Sequence, residues 1–314
     1  MHFDMDIGRL NYEGKERRVG FEFESAQLTL KEMTDIVQQC FGGSIKQENE
    51  FSFEVLDTEY GTFSVESDSS YLKKKKYEES STKLAFAASK FITDTIAGPS
   101  RLIVPNEIVT PPIPLADLYR IDLFRGELSK RIMAKTMIPS LAPCGLHLNP
   151  ELADTSASYL LRILQAFMVL QDQLFKQHRV AILRRLWPYI EPFPKEYQQF
   201  LLNPDYAPDF QQLVDDYIRF NPTRDRPLDL LPVFVWIDKD CLKAYDLQDA
   251  PLVHGRPAFH YRLPNCELSN PNWNVASEWN LWASVERLAD DPRRLAGFMY
   301  RSVSKADRGN ELHV

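Results

Sequence analysis

Glu22 and Glu24 are two acids separated by one aromatic residue, and three other short segments repeat the spacing: Glu66/Asp68, His147/Asn149 and His260/Arg262. Residues two apart on a strand point to the same face. If the four segments are strands of one sheet, one face gathers carboxylates, imidazoles and a guanidinium. The other face is then Phe, Val and Leu. Acidic oxygens with one or two nitrogen ligands suit magnesium or manganese. A half-exposed antiparallel sheet alternates polar and apolar residues anyway, so any single pair is also what solvation alone produces. Glu22/Glu24 fits that plain reading least well, because like charges among aromatic neighbours are unfavourable without a cation.

Two further groups could join this chemistry. Glu107 stands at a strand end ahead of Pro111 and Pro112, where an ordinary loop acid is the plain alternative. Arg224 and Arg226 flank Asp225 beside an apolar run, an arrangement suited to clamping phosphate or carboxylate. A local Arg–Asp surface network remains equally open there. His2, His178, His254 and His313 have no evident partner and read as structural or exposed. There is no Walker A loop, no GxGxxG after a strand, no GxSxG and no HExxH, so any nucleotide is held without a P-loop.

The elements that must position these groups follow from local pattern. Val19, Phe21 and Phe23 alternate with Gly20, Glu22 and Glu24, which predicts a strand with an apolar and an acidic face. Thr29 with Glu32 forms a capping box, and Met33, Ile36, Val37, Cys40 and Phe41 fall at helical spacing before Gly42 and Gly43. A hairpin is expected with Phe51, Phe53 and Val55 on one arm, Phe63 and Val65 on the other, and Gly61 in the turn. Helices are predicted over 80–97, 115–134, 156–185, 209–220 and 275–303, the last as one or two pieces. Strands are predicted over 102–109, 146–149 and 259–263. The proline- and aromatic-rich stretch 187–208 reads as an irregular connection, and 228–237 is too apolar for periodicity to decide between helix and strand. The lead-in 1–17 and the tail 304–314 are polar and expected to be loose. Between them, 18–303 reads as one α+β domain, a mostly antiparallel sheet with a helical insertion. Regular βαβ alternation is missing, which argues against a doubly wound fold.

Composition narrows the classes further. With 314 residues, 44% of them hydrophobic, the chain can bury a large core around a pocket. A formal net charge of -7 argues against nucleic acid as the main partner. The short basic run Lys73 to Lys76 reads as a solvated face beside Glu78 and Glu79. Cys40, Cys144, Cys241 and Cys266 form no CxxC pair, which argues against a zinc knot, and Cys40 is expected to be a buried thiol. Met1 to Arg9 has no apolar core of signal-peptide length and no run suffices to span a bilayer, so the cytoplasm is the expected location without membrane association.

Taken in order, the segments GFEFE (20–24), VESDSS (65–70), EIVTPP (107–112), CGLHLNP (144–150), NPTRDRPLDLLP (221–232), HYRLPN (260–265) and SEWNLWASVERLA (277–289) resemble the amidoligases of the glutamine synthetase-like, carboxylate–amine ligase class. The resemblance implies a glutamine synthetase-like fold, in which a curved, mostly antiparallel sheet with helices on one side forms an ATP funnel lined by metal-binding acids. It implies Glu22, Glu24, Glu66, Glu107 and His147 as metal ligands. His147, Asn149, Arg224 and Arg262 would meet the nucleotide. Glu66, Asp68, Arg224 and Arg262 would act in catalysis, the acids as bases towards the amine. The implied cofactors are ATP and Mg2+, with Mn2+ as an alternative ion. Related enzymes often carry an acid two residues before the late-strand arginine, where this chain has His260. The implied activity is ATP-dependent amide formation through an acyl phosphate, on an amino acid, peptide or small amine, with a glutamine amidotransferase-like partner as an ammonia source. Three rivals stay open: a guanidino or amine phosphotransferase on the same fold, a non-catalytic nucleotide- or peptide-binding partner protein, and a metal-dependent hydrolase.

Overall fold

A computed structural model describes residues 2–67, 105–135, 144–180, 190–247 and 250–310. Asp68, the run Lys73 to Lys76 and the helix expected over 80–97 lie outside the described residues. The alternating segment at the start is a strand, β1 (Arg18–Ser25), with Val19, Phe21 and Phe23 fully buried. The capping box forms as the sequence predicts. Thr29 accepts from the Glu32 backbone, Glu32 reaches back to the Thr29 backbone, and α1 (Leu30–Phe41) follows and ends at Gly42 in a left-handed conformation.

Three hairpin-linked strands come next: β2 (Ser44–Asn49), β3 (Ser52–Thr58) and β4 (Gly61–Ser67). The hairpin of β3 and β4 is the one expected. β2 was not, because its side chains are all exposed and carry no alternation. Phe51 is not on the strand face. It sits in the turn between β2 and β3 and is 59% exposed. β5 (Asn106–Val109) and the short β6 (Ile113–Pro114) then lead through a 3-10 turn (Leu115–Asp117) into α2 (Leu118–Met133).

β7 (Leu146–Pro150) is buried throughout and precedes α3 (Ala157–Gln177). α3 ends earlier than its periodicity implies. The turn after it holds Arg179 at φ 49, and 181–189 lie outside the described residues. The connection expected to be irregular contains a helix, α4 (Lys195–Leu201), and α5 (Phe210–Phe220) follows. The ambiguous apolar run divides. Leu228–Asp229 is a short strand, β8, and Leu231–Ile237 is a helix, α6. The division has a local cause: the Asp229 carboxylate accepts from the Leu231 backbone N–H, and Pro232 opens the helix. β9 is the ladder pair His260–Tyr261, prolonged on both sides by backbone bonds from Phe259 to Pro150 and from Arg262 to Pro227. α7 (Val275–Ala289) and α8 (Pro292–Asn310) close the described chain, so part of the expected loose tail is helical backbone.

The strands form one open sheet in the order β2-β3-β4-β5-β1-β7-β9-β8, with β6 beside the start of β1, and each pairing among the described strands is antiparallel. Helices cover its apolar face. Phe41 of α1 stacks on Phe63 at 4.8 Å between ring centroids, and Phe124 of α2 lies 5.7 Å from Phe23. Farther along, Phe167 of α3 and Trp282 of α7 pack on Tyr261. This is the expected mixed α+β architecture with an antiparallel sheet. No described helix is long and apolar enough to cross a membrane.

The lead-in is tied down rather than loose. Arg17 is buried and makes a bidentate pair with Glu286 of α7, at 2.8 and 2.7 Å, while also donating to the carbonyls of Gly8 and Glu151. The Asp4 carbonyl accepts from the Trp279 indole. Breaking a buried pair leaves one charge uncompensated. Glu286→Ala therefore lowers unfolding free energy by about 3–5 kcal/mol, whereas Thr29→Ala, which removes only a helix cap, lowers it by about 1 kcal/mol. Urea denaturation of the two variants checks the difference.

Candidate active site

Glu22, Glu24, His147, Asn149, Glu66 and His260 share one sheet, and Arg262 follows the end of β9, while Asp68 lies outside the described residues. Glu24 stands opposite Glu107, and Glu107 stands opposite Glu66, so three acids form a row across β4, β5 and β1. One step along, Glu22 stands opposite His147, and Asn149 stands opposite Gly20. On the next strands, Leu148 pairs with Tyr261, which puts Tyr261 on the apolar face and its neighbours His260 and Arg262 on the polar one. Asp229 of β8 pairs with His260 and joins the polar face.

Burial deepens from the acid row towards the centre. Glu66 is exposed, Glu24 and Glu107 are half-buried, and Glu22, His147, Asn149, His260 and Asp229 are buried. Glu22 is the hub. Its carboxylate lies 2.6 Å from His147 Nδ1, accepts from Asn149 Nδ2 at 2.8 Å and Arg256 Nη1 at 3.2 Å, and has His260 Nε2 3.6 Å away. Burial alone would raise this carboxyl, but the facing His260 and His147 outweigh it and hold Glu22 well below the usual carboxylate range. Burial pushes His147 in the opposite sense, below the usual imidazole value, against the pull of Glu22 and Glu24. Glu24 accepts from the Gly145 backbone N–H at 2.6 Å and lies 3.5 Å from His147 Nε2. The two ring nitrogens of His147 thus face two different carboxylates.

His260 sits between two acids, with Nδ1 3.5 Å from Asp229 and Nε2 3.6 Å from Glu22, and neither nitrogen has a hydrogen-bond partner. Asp229 is fully buried. Burial pushes its carboxyl up, yet His260 and Arg224 hold it below its ordinary value.

Two sets of donor atoms could hold a cation, each with atoms within 4.8 Å of one another: Glu22, His147 and His260, and Glu24, Glu107 and His147. Carboxylates beside the buried imidazoles of His147 and His260 are a chemically suitable donor set for a divalent ion. Four of the metal ligands implied by the resemblance, Glu22, Glu24, Glu107 and His147, are brought together, and Glu66 is in register beside them.

The arginines divide. Arg262 donates to the Arg224 carbonyl and lies 3.8 Å from Asp225. Arg224 reaches Asp229 and the Leu252 carbonyl, so it stands at the margin of the site. Arg226 does not belong to the site. It is buried over the Phe193 ring and donates to the Pro192 carbonyl.

Sequence reasoning missed two site residues. Asp229 was detectable in principle, because a lone acid in an apolar run needs a buried partner. Arg256 carries no local signal. The chain places it by close packing of Gly255, where a Cβ would come within 2.9 Å of the Trp236 backbone. His178, expected to be structural or exposed, is structural and has partners that no local pattern indicated. Its Nδ1 meets Glu278, its Nε2 bonds the Tyr261 hydroxyl at 2.5 Å, and Glu278 also accepts from Trp273. This buried relay holds β9 from the apolar side. Cys40 is half-buried rather than buried, and the four cysteines are free.

Among known proteins, the family described as "Putative amidoligase enzyme" matches residues 15–284. No curated protein and no solved structure gives a significant match. The matched span runs from before β1 into α7 and takes in every residue of the polar face named above, and the chain belongs to this amidoligase family.

Proposed function

We propose that the chain is an ATP-dependent carboxylate–amine ligase on a glutamine synthetase-like fold, forming an amide through an acyl phosphate from an amino acid, peptide or small-amine substrate. Membership of the amidoligase family supports amide formation. The observation that carries the rest is the register that aligns Glu66, Glu107 and Glu24 and sets Glu22 against His147 on one face. Such a face offers oxygen and nitrogen donors to a magnesium- or manganese-bearing nucleotide. Bound there, the ion supplies charge neutralisation and orientation of the γ-phosphoryl group.

The chain's own residues then have distinct tasks. The substrate carboxylate oxygen attacks the γ-phosphorus, the bond to ADP breaks, and an acyl phosphate forms. Arg262, with Arg224 at the margin, stabilises negative charge on the moving phosphoryl group; preorganised charge of this kind is often the largest catalytic contribution. The amine then attacks the acyl carbon, phosphate leaves, and the amine nitrogen gives up a proton. Glu66, exposed at the end of the acid row, would accept it, with Asp68 the alternative. Ammonia delivered by a glutamine amidotransferase-like partner is one source of the amine.

The test is magnesium-dependent ADP release by the purified chain, supplied with a pool of amino acids, polyamines and ammonia. A carboxylate–amine pair should stimulate release and yield one amide per ADP. Glu24→Ala should abolish turnover while circular dichroism stays native. Arg262→Ala should lower kcat by about 100- to 1,000-fold with the fold kept. ADP without amide would point to phosphotransfer, and turnover without ATP to hydrolysis. Failure to bind ATP in calorimetry at millimolar magnesium would sink the ligase reading.

A further inference from the structure

The inner donor set differs in kind from the outer one. Glu22, His147 and His260 supply one carboxylate and two imidazoles, all buried. Glu24 and Glu107 supply carboxylates, with Glu66 opposite Glu107. A neutral imidazole offers one lone pair, so His147 can serve only one of the two sets.

The second observation is His260 itself. It is 5% exposed, and neither ring nitrogen is hydrogen-bonded. A buried polar group without a partner is unfavourable, and such a group in a native fold calls for a ligand or ion. The two flanking carboxylates specify how it would be used. Asp229 faces Nδ1, as an orienting carboxylate behind a metal-binding histidine does. Nε2 then points its lone pair towards the Glu22 carboxylate across 3.6 Å. Two acceptors do not face each other at this separation without a cation or proton between them. The rings of His147 and His260 lie 5.1 Å apart at 79°, close enough to share one ion.

We infer that Glu22, His147 and His260 form a two-histidine, one-carboxylate site for a divalent ion that accepts nitrogen ligands, Zn2+ first and Mn2+ after it, in preference to Mg2+, with Asp229 as the positioning residue that orients His260. Imidazole nitrogen favours such ions, whereas magnesium favours oxygen and keeps its water. With His147 committed to the inner ion, the outer set is all carboxylate and suits the hard ion that accompanies a nucleotide. The site therefore holds two ions of different chemical class. The inference rests on reading the polar face as a cation site, but not on amide formation.

The test uses the full chain stripped with a chelator and titrated separately with MnCl2, ZnCl2 and MgCl2 by calorimetry. Pulsed electron paramagnetic resonance is recorded on the Mn2+-loaded protein. The wild-type chain should bind one Mn2+ at least about tenfold more tightly than Mg2+, with nitrogen couplings from two imidazoles. His260→Gln should remove one nitrogen coupling and weaken Mn2+ binding by about 10- to 100-fold, and Asp229→Asn should weaken it within the same range while keeping both couplings. His260→Glu should narrow the difference between Mn2+ and Mg2+. The resonance experiment on the wild-type chain decides the point even if a buried variant fails to fold. Equal affinity for Mn2+ and Mg2+, or nitrogen couplings unchanged in His260→Gln, would overturn the inference and leave the ligase reading intact. Absence of all divalent binding, with His260 variants losing only thermal stability, would mean that His260 is an imidazolium bridging two carboxylates. That outcome overturns the inference and the cation part of the proposed function together.

Discussion

The pairing of β1 with β7 sets Glu22 against His147 and, by the same register, Phe21 against Leu148. Strand periodicity is two, so a slip of one residue would exchange the faces. It would drive Glu22 and Glu24 into the cluster of Phe41, Phe63 and Phe124, and push Phe21 and Phe23 towards solvent. The aromatic packing beneath the sheet and the polar constellation above it are thus two consequences of one register. The hydrophobic face supplies the energy that makes the register unique, and the acids are carried into place with it. Phe23 against Phe124 on the core side and Glu24 against Glu107 on the other belong to adjacent residues of one strand.

Holding several ionised groups in a dry setting requires local compensation, and the compensation is unequal along the sheet. Glu22 is surrounded by nitrogen groups from three elements: His147 and Asn149 of β7, Arg256 from a loop, and His260 of β9. The relay of Tyr261, His178 and Glu278 works from the reverse side of the same strand. β9 is only a two-residue ladder, but backbone bonds flank it on both sides, from Phe259 to Pro150 and from Arg262 to Pro227. Side chains on both faces add to this, with Tyr261 locked below and His260 held between Asp229 and Glu22 above. Short length and precise placement are compatible here because backbone and side-chain contacts act on the same few residues.

How much of this could be read from the chain alone follows the same division. Period-two alternation at 19–24, 51–65 and 146–149 is a local pattern, and it was enough to place Glu22, Glu24, Glu66, His147 and Asn149 on strands and to expect one shared face. The capping box at Thr29 was equally local. β2 escaped because an edge strand exposed throughout, Ser44–Asn49, has no apolar face to alternate. Asp229 escaped because the run around it is apolar enough to mask the change from strand to helix. Arg256, His178 and the Arg17–Glu286 pair escaped for a different reason. Their partners are 234, 100 and 269 residues away, and no local pattern records a contact across that distance. The ordered motifs identified the family where periodicity could not, since the match spans residues 15–284.

The sheet order also gives the site a direction. From β4 through β5 to β1 the polar face carries Glu66, Glu107 and Glu24, and the character is anionic. From β7 through β9 to β8 it carries His147, Asn149, His260 and Arg262, with Arg256 and Arg224 beside them, and the character is nitrogen-rich around the single buried acid of β8, Asp229. Glu22 lies at the boundary and draws its partners from the nitrogen side. A ligand that bears phosphates needs cations against its oxygens, and a cation-bearing ligand needs carboxylates against its ion. A metal–nucleotide complex, the ligand of the proposed reaction, would have both requirements at once. The chemistry proposed for the chain depends on that gradient more than on any one residue in it.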